Sequence, residues 1–252
     1  MEWTERDGLR WLEADLGGAR AAFTTRLGGV SGGAYESLNL GLLTEDDPAA
    51  VNENRKRAGE ALGFGPQQVA FARQVHGTEL VNAPIPSRGS FFAHGANKEP
   101  RDGLGEADGL VVGEPGVAGL VFVADCLPVA LRGPGGVAML HCGWRGLAAG
   151  IVARGAEAVG AAEAAIGPGI GPCCYQVGEE VLDAFSGPGD GVAAGRMLDL
   201  PEVARRLLAK AGVERVQSAG LCTSCHPELL FSHRRDAGRT GRQAGLAWLE
   251  AS

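Results

Sequence analysis

Cys126 and His141 stand fifteen residues apart, each at the end of a short apolar run. Leu120-Val-Phe-Val-Ala124 leads through Asp125 to the cysteine, and Val137-Ala-Met-Leu140 leads to the histidine. A thiolate and an imidazole can hold zinc or copper, or can work together as nucleophile and base. Apolar runs this short read as buried strands rather than helices. Arg132-Gly-Pro-Gly-Gly136 lies between them, rich in residues that supply special backbone angles. The sulfur and the ring therefore end neighbouring strands, where they can converge. Either this is a site or it is a packed core with a hydrogen-bonded histidine and an inert cysteine.

The elements that would position these residues alternate irregularly. Trp3 to Leu16 reads as short strands or a hairpin leading into an Ala21–Thr25 strand. Arg26 then opens a Gly-rich loop to Gly33, whose backbone could approach a ligand closely or simply turn. Asp46 to Leu62 carries Pro48 near its start and apolar residues among charges, as a surface helix does. Strands are expected at 68–72, 107–112, 214–221 and 243–249. Helices are expected at 145–160, 178–185 and 200–211, the first with Leu147, Ile151, Val152, Ala156 and Val159 mostly on one side. Pro84 to Glu106 has no period and reads as a long mobile loop. With no internal repeat and no linker, the fold class is α/β of the α+β type. Mixed sheets pack with flanking helices in one domain spanning 1–252.

Composition narrows the function. The chain has a net charge of −7 and no run of like charge, which argues against a nucleic-acid partner. The N-terminal segment is charged, without the apolar core of a signal peptide, and no stretch approaches the ~18 apolar residues of a membrane span. A cytoplasmic protein with its six cysteines reduced is expected. Whether it is a monomer or a homodimer is left open.

Seven motifs occur in order: Thr24-Thr-Arg26-x-Gly-Gly-Val-Ser31, Ser37-Leu-Asn39-Leu-Gly41, Arg73-Gln74-Val-His76-Gly77, Ala124-Asp-Cys126-x-Pro128, His141-x-Gly-Trp-Arg145-Gly146, Ile170-Gly-Pro-Cys-Cys-Tyr175-x-Val177 and Cys222-Thr-x-Cys225. In this the chain resembles the YfiH family, also described as laccase-domain or polyphenol-oxidase-like proteins and as peptidoglycan editing factors. The resemblance runs from about Phe23 to Arg242. Cys142 departs from it, since alanine is usual there, and Phe91 to Arg101 looks like an insertion.

The resemblance implies a zinc-dependent purine nucleoside phosphorylase. Its substrates would be adenosine, inosine and S-methyl-5'-thioadenosine, with phosphate as co-substrate and adenosine deaminase activity besides. It also implies the zinc ligands, here His76, Cys126 and His141. Two imidazoles and one thiolate leave a fourth position open, the arrangement of catalytic rather than structural zinc. The His-x-Glu and Pro-Cys-x-x-Cys signature of zinc deaminases is absent from the chain. Phosphate would need cations: Arg145, expected at a helix start, and Arg26 beside the Gly-rich loop. Asn39, Gln74 and Asp108 read equally as substrate contacts or turn caps. Asp125, next to a proposed ligand on a strand, should point away from the metal.

Two other readings compete. Cys126 could be a nucleophile and His141 its base, in a hydrolase acting on peptidoglycan precursors. Alternatively, a metal could merely hold strands together in a non-catalytic module. Copper is an alternative occupant, but five histidines are too few for the trinuclear cluster of a phenol oxidase. Cys222 and Cys225 lack a second pair at zinc-ribbon spacing, because Cys173 and Cys174 are adjacent. All four read chiefly as packing or site-wall residues, with a contribution to metal binding as the lesser reading. Arg234, Arg235, Arg239 and Arg242 read chiefly as a solvated turn.

Overall fold

Strands that are apolar along their whole length need cover on both faces, and the architecture supplies it in four layers. The structure, a computed structural model, describes residues 1–65, 68–83, 103–186 and 191–251. It opens with a hairpin, β1 (Glu2–Arg6) and β2 (Leu9–Asp15), turned through Asp7 and Gly8 at positive φ. β3 (Ala19–Thr24), helix α1 (Pro48–Leu62), β4 (Val69–Phe71), β5 (Leu80–Asn82) and β6 (Gly109–Val112) follow. Next come β7 (Ala118–Val123), β8 (Leu127–Gly133) and β9 (Gly136–Cys142), then α2 (Trp144–Ala149), α3 (Ile151–Val159) and β10 (Glu163–Ile166). The chain continues with α4 (Glu179–Ala184), the short pair β11 (Ala193–Ala194) and β12 (Met197–Leu198), α5 (Leu200–Lys210), β13 (Arg215–Ser218) and β14 (Gln243–Leu249).

Two six-stranded mixed sheets result, ordered β1-β2-β3-β14-β7-β4 and β13-β10-β8-β9-β6-β5. Period-2 geometry sends alternate residues of one strand into different cores. In β9, Val137 and Met139 enter the layer between the sheets, while Ala138, Leu140 and Cys142 face α3 and α5. In β7, Val121 and Val123 enter that middle layer, and Ala118 and Leu120 face α1. The order is therefore helix, sheet, sheet, helix, a mixed α+β fold as expected. Cys142 is fully buried on the helix side, facing away from His141. A small apolar residue is all that position requires.

Two helical expectations change in detail. The 145–160 segment is split at Gly150, whose φ of 94° closes α2 and starts α3. In α1, Asn54 and Arg55 are buried, so this helix is no simple surface element. Its entry is built from Pro48 at the first helical position and the Asp47 carboxylate, which accepts the Ala49 N–H at 2.9 Å. Asp47→Ala should cost about 1 kcal/mol, read as a lowered urea midpoint at unchanged slope.

The Gly-rich loop after Arg26 packs on the chain itself. A Cβ at Gly29 would lie 2.1 Å from the Ser37 carbonyl oxygen, and one at Gly28 2.5 Å from that of Gly8. Of the expected loop at 84–106, residues 84–102, with Phe91 to Arg101 and His94, lie outside the described residues. Gly103 and Glu106 bridge to Ala72 and Arg73. Among the described residues no helix is long and apolar enough to cross a membrane.

Candidate metal centre and cavity

The polypeptide crosses from one sheet to the other in three residues, Ala124 to Cys126, between the end of β7 and the start of β8. Asp125 makes that turn with φ at 93°, a left-handed conformation rare outside glycine. Its carboxylate is held by the Thr223 hydroxyl and the Arg234 N–H, each at 2.6 Å, so it serves neighbouring loops rather than the metal. The next residue, Cys126, meets His141 from the adjoining strand, where Pro128 pairs with His141 in register.

His76 reaches the same point from a loop tied down by Asp108. One oxygen of this fully buried carboxylate accepts the His76 N–H at 3.0 Å and contacts His141 Nδ1 at 2.7 Å. The other accepts the N–H groups of Val75 and Gly77, at 3.1 and 2.7 Å. Three successive amides thus form a nest around one anion, and His76 takes a φ of 61° to allow it. The main chains are joined as well, His141 N–H donating to the Asp108 carbonyl at 2.7 Å. Burial alone would raise the Asp108 pKa, but the hydrogen bonds from His141, Gly77 and Val75 hold it below the usual carboxylate range. With Nδ1 engaged, His141 has Nε2 left for the cluster.

The donor atoms of His76, Cys126 and His141 all lie within 4.8 Å of one another. Burial opposes ionisation of Cys126, yet the adjacent His141 and His76 bring its thiol down to about 6. His141 moves the other way, up to about 9, because the Cys126 and Asp108 charges outweigh its own burial. The lowered thiol pKa favours the thiolate, the form a metal binds. Two nitrogens and one thiolate, with a carboxylate orienting one imidazole, fit a catalytic zinc set.

All three residues line a cavity of about 410 Å³. Phe71, Phe122 and Tyr175 contribute aromatic wall, and Arg55, Arg73, Arg234 and Arg242 contribute guanidinium groups. Gln74 lines it too, its side-chain amide exchanging hydrogen bonds with both backbone groups of Phe122 at 2.7 and 2.8 Å, as a neighbouring strand would. Arg55 is almost fully buried, donates from Nε to the Leu40 carbonyl and stacks near Phe71 and Phe122. That burial pulls its pKa down to about 9, so an anion close by would favour its charged form.

The remaining expected residues are outside the cavity lining, though the charge of Arg145 still acts on Tyr175. Arg26 is not among the cavity-lining residues; it donates to the carbonyls of Glu36 and Pro227 and stacks over Phe231. Arg145 is exposed, its guanidinium 4.4 Å from the centre of the Trp144 ring, and it too is absent from the lining. Asn39 is buried and fully engaged, donating to Thr44 and Asp46 and accepting from the N–H groups of Gly41 and Arg242. It shapes the wall rather than lining it. Arg234 and Arg242, read as a solvated turn, reach the cavity instead, while Arg235 is tied to Asp236 and to the carbonyls of Thr223 and Leu230. Nothing local in α1 marked Arg55.

Known proteins share this fold and much of this sequence. The family model described as "Multi-copper polyphenol oxidoreductase laccase" matches residues 20–250. A Deinococcus radiodurans protein named purine nucleoside phosphorylase is 39% identical, over 93% of this chain and 91% of its own. Purine nucleoside phosphorylase YfiH of Escherichia coli is 37% identical, over 92% and 94%. Among solved structures, Bacillus licheniformis hypothetical protein YfiH superposes with a TM-score of 0.86 at 31% identity, covering 98% of this chain and 99% of that one. YlmD from Geobacillus stearothermophilus gives 0.84 at 33%, with 98% of each chain covered.

Proposed function

The chain belongs to this laccase-like, YfiH-type family, and on that premise we propose that it is a zinc-dependent purine nucleoside phosphorylase. The names carried by its relatives support an enzyme of this kind. The observation that carries the reading is the three-ligand cluster on a cavity lined by aromatic rings and guanidinium groups. Adenosine, inosine and S-methyl-5'-thioadenosine are the proposed substrates, with adenosine deamination as a second activity. A phosphate oxygen forms a bond to C1' of the ribose as the bond from C1' to the purine nitrogen breaks. The purine leaves as the neutral base after taking up a proton.

Zinc held by His76, Cys126 and His141 supplies Lewis acidity. The chain's own residues do the rest. Phe71, Phe122 and Tyr175 offer faces and edges for a purine. Arg55 and Arg242, with Arg234 beside Tyr175, offer the charge that phosphate needs. Asp108 holds two of the three ligand residues in place. Phenol oxidation is not proposed, since the chain has five histidines and two of them are in this cluster.

The test is product analysis with adenosine, with and without phosphate, on metal-quantified wild type and His76→Ala. Adenine and ribose 1-phosphate formed only with phosphate, and reduced more than about 100-fold in the variant, are expected. Inosine formed regardless of phosphate would make deamination the main chemistry. Neither product from zinc-loaded protein would sink the nucleoside reading.

One observation favours a second reading. Cys126, His141 and Asp108 form the thiolate, imidazole and carboxylate series of a cysteine hydrolase, for which peptidoglycan precursors would be substrates. That reading requires turnover by metal-free protein and its loss on thiol alkylation.

A further inference from the structure

The loops 169–175 and 221–226 bring together Cys173, Cys174, Cys222 and Cys225, none of which lines the cavity. All four Sγ atoms lie within 4.8 Å of one another, and Cys225 Sγ is 3.4 Å from both Cys173 and Cys174. We propose that these four thiolates hold a second metal ion, a structural zinc.

Three observations support this. Four sulfurs around zinc at about 2.3 Å stand roughly 3.8 Å apart, so small side-chain rotations would bring the observed cluster onto a tetrahedron. Four protein ligands close the coordination sphere, as in structural rather than catalytic sites. Second, Cys173 and Cys225 are exposed, whereas a free cysteine that merely packs is among the most buried of residues. The packing role expected from sequence therefore does not describe them. Cys225 is also equidistant from two partners, which suits a shared centre better than one disulfide.

Third, the scaffold has the form of a metal knuckle. The Gly169 N–H donates to the Leu221 carbonyl and the Thr223 N–H to the Gly169 carbonyl, so the two loops run joined into the cluster. The Gly171 N–H then points at Cys222 Sγ, at 3.3 Å, a backbone donor to sulfur of the kind that supports a ligating thiolate. Sequence spacing hid this arrangement because one pair is adjacent and the other lies about fifty residues on.

The clip has a place in the architecture of the first site. Tyr175 follows one cysteine pair and lines the cavity, and Thr223, inside the other, holds the Asp125 carboxylate next to Cys126. Zinc here would fix that wall, in the way a disulfide would but under reducing conditions.

The test counts metal and thiols in full-length protein made with zinc and purified anaerobically in reductant. Wild type should carry two zinc ions per chain, and His76→Ala and Cys222→Ser/Cys225→Ser one each. His76→Ala, in which all four cysteines remain, keeps the test informative if the double variant does not fold. Cobalt substituted into that protein should give the intense thiolate charge-transfer absorption of a four-sulfur site. The double variant should melt at a lower temperature. Metal-free His76→Ala after zinc loading would overturn the proposal. So would an unreduced mass showing lost hydrogens at these cysteines, or iron with inorganic sulfide, or copper, in place of zinc. None of these readouts depends on which reaction the first site catalyses.

Discussion

Asp108→Asn is expected to weaken metal binding at the first centre by about 10–100-fold, measured by competition with a chelator of known affinity. The carboxylate meets four donors: the amides of Val75, His76 and Gly77 and the ring of His141. An asparagine keeps one acceptor oxygen and turns an NH₂ group toward donors that cannot receive it. Each buried donor so orphaned costs about 1–3 kcal/mol, so the urea midpoint should fall along with affinity. Because Asp108 acts through the ligands, saturating zinc should restore a large part of kcat. Unchanged metal affinity would show that the carboxylate positions nothing.

Gly143→Ala should separate activity from stability. Gly143 has an extended backbone, φ −78° and ψ 168°, which alanine adopts freely. A Cβ there would lie 3.0 Å from Cys126 Sγ and 3.1 Å from His76 Cδ2. One methyl therefore pushes on two ligands at once, and the exposed His76 ring is the side chain free to give way. Sites of this kind tolerate roughly 0.5 Å, and a misplacement of about 1 Å can cost 10²-fold. Turnover at saturating zinc is expected to fall about 10–100-fold, while the unfolding free energy moves by less than about 1 kcal/mol. Full activity with normal zinc content would place the ligands elsewhere.

The middle of the fold was legible because its strands declare themselves. A run such as Val137 to Leu140 has nowhere to go but inside, and β14 was read with the bounds it has. Sheet order was not legible: β14 sits between β3 and β7, pairings across roughly 220 and 120 residues that no local pattern encodes. The cysteine and two histidines stood out through their motifs. Their support was only half legible: Asp108 reads from sequence as a substrate contact or a turn cap, because its hold on His76 and His141 lies in contacts spanning about thirty residues of chain. Arg55 shows the limit most clearly. Among the charges of α1 it looks like a solvated residue, and only the arrival of Phe71 and Phe122 from two strands makes it a buried cavity wall. Arg26 and Arg145 failed to reach the cavity for the converse reason: a conspicuous place in a motif says nothing about which way a long side chain turns.

The nest of amides around Asp108 also bears on how the protein breathes. His76 and Val75 have exposed side chains, so the loop looks as if it should open readily. Yet its three amide hydrogens are anchored to a carboxylate sealed between β6 and β9. Deuterium can reach them only when those hydrogen bonds break, which leaves a buried carboxylate without its partners, so exchange slower than in an ordinary surface loop is expected. A segment at the surface is thereby tied to the interior, and the His76 ring it carries stays positioned beside Cys126 and His141.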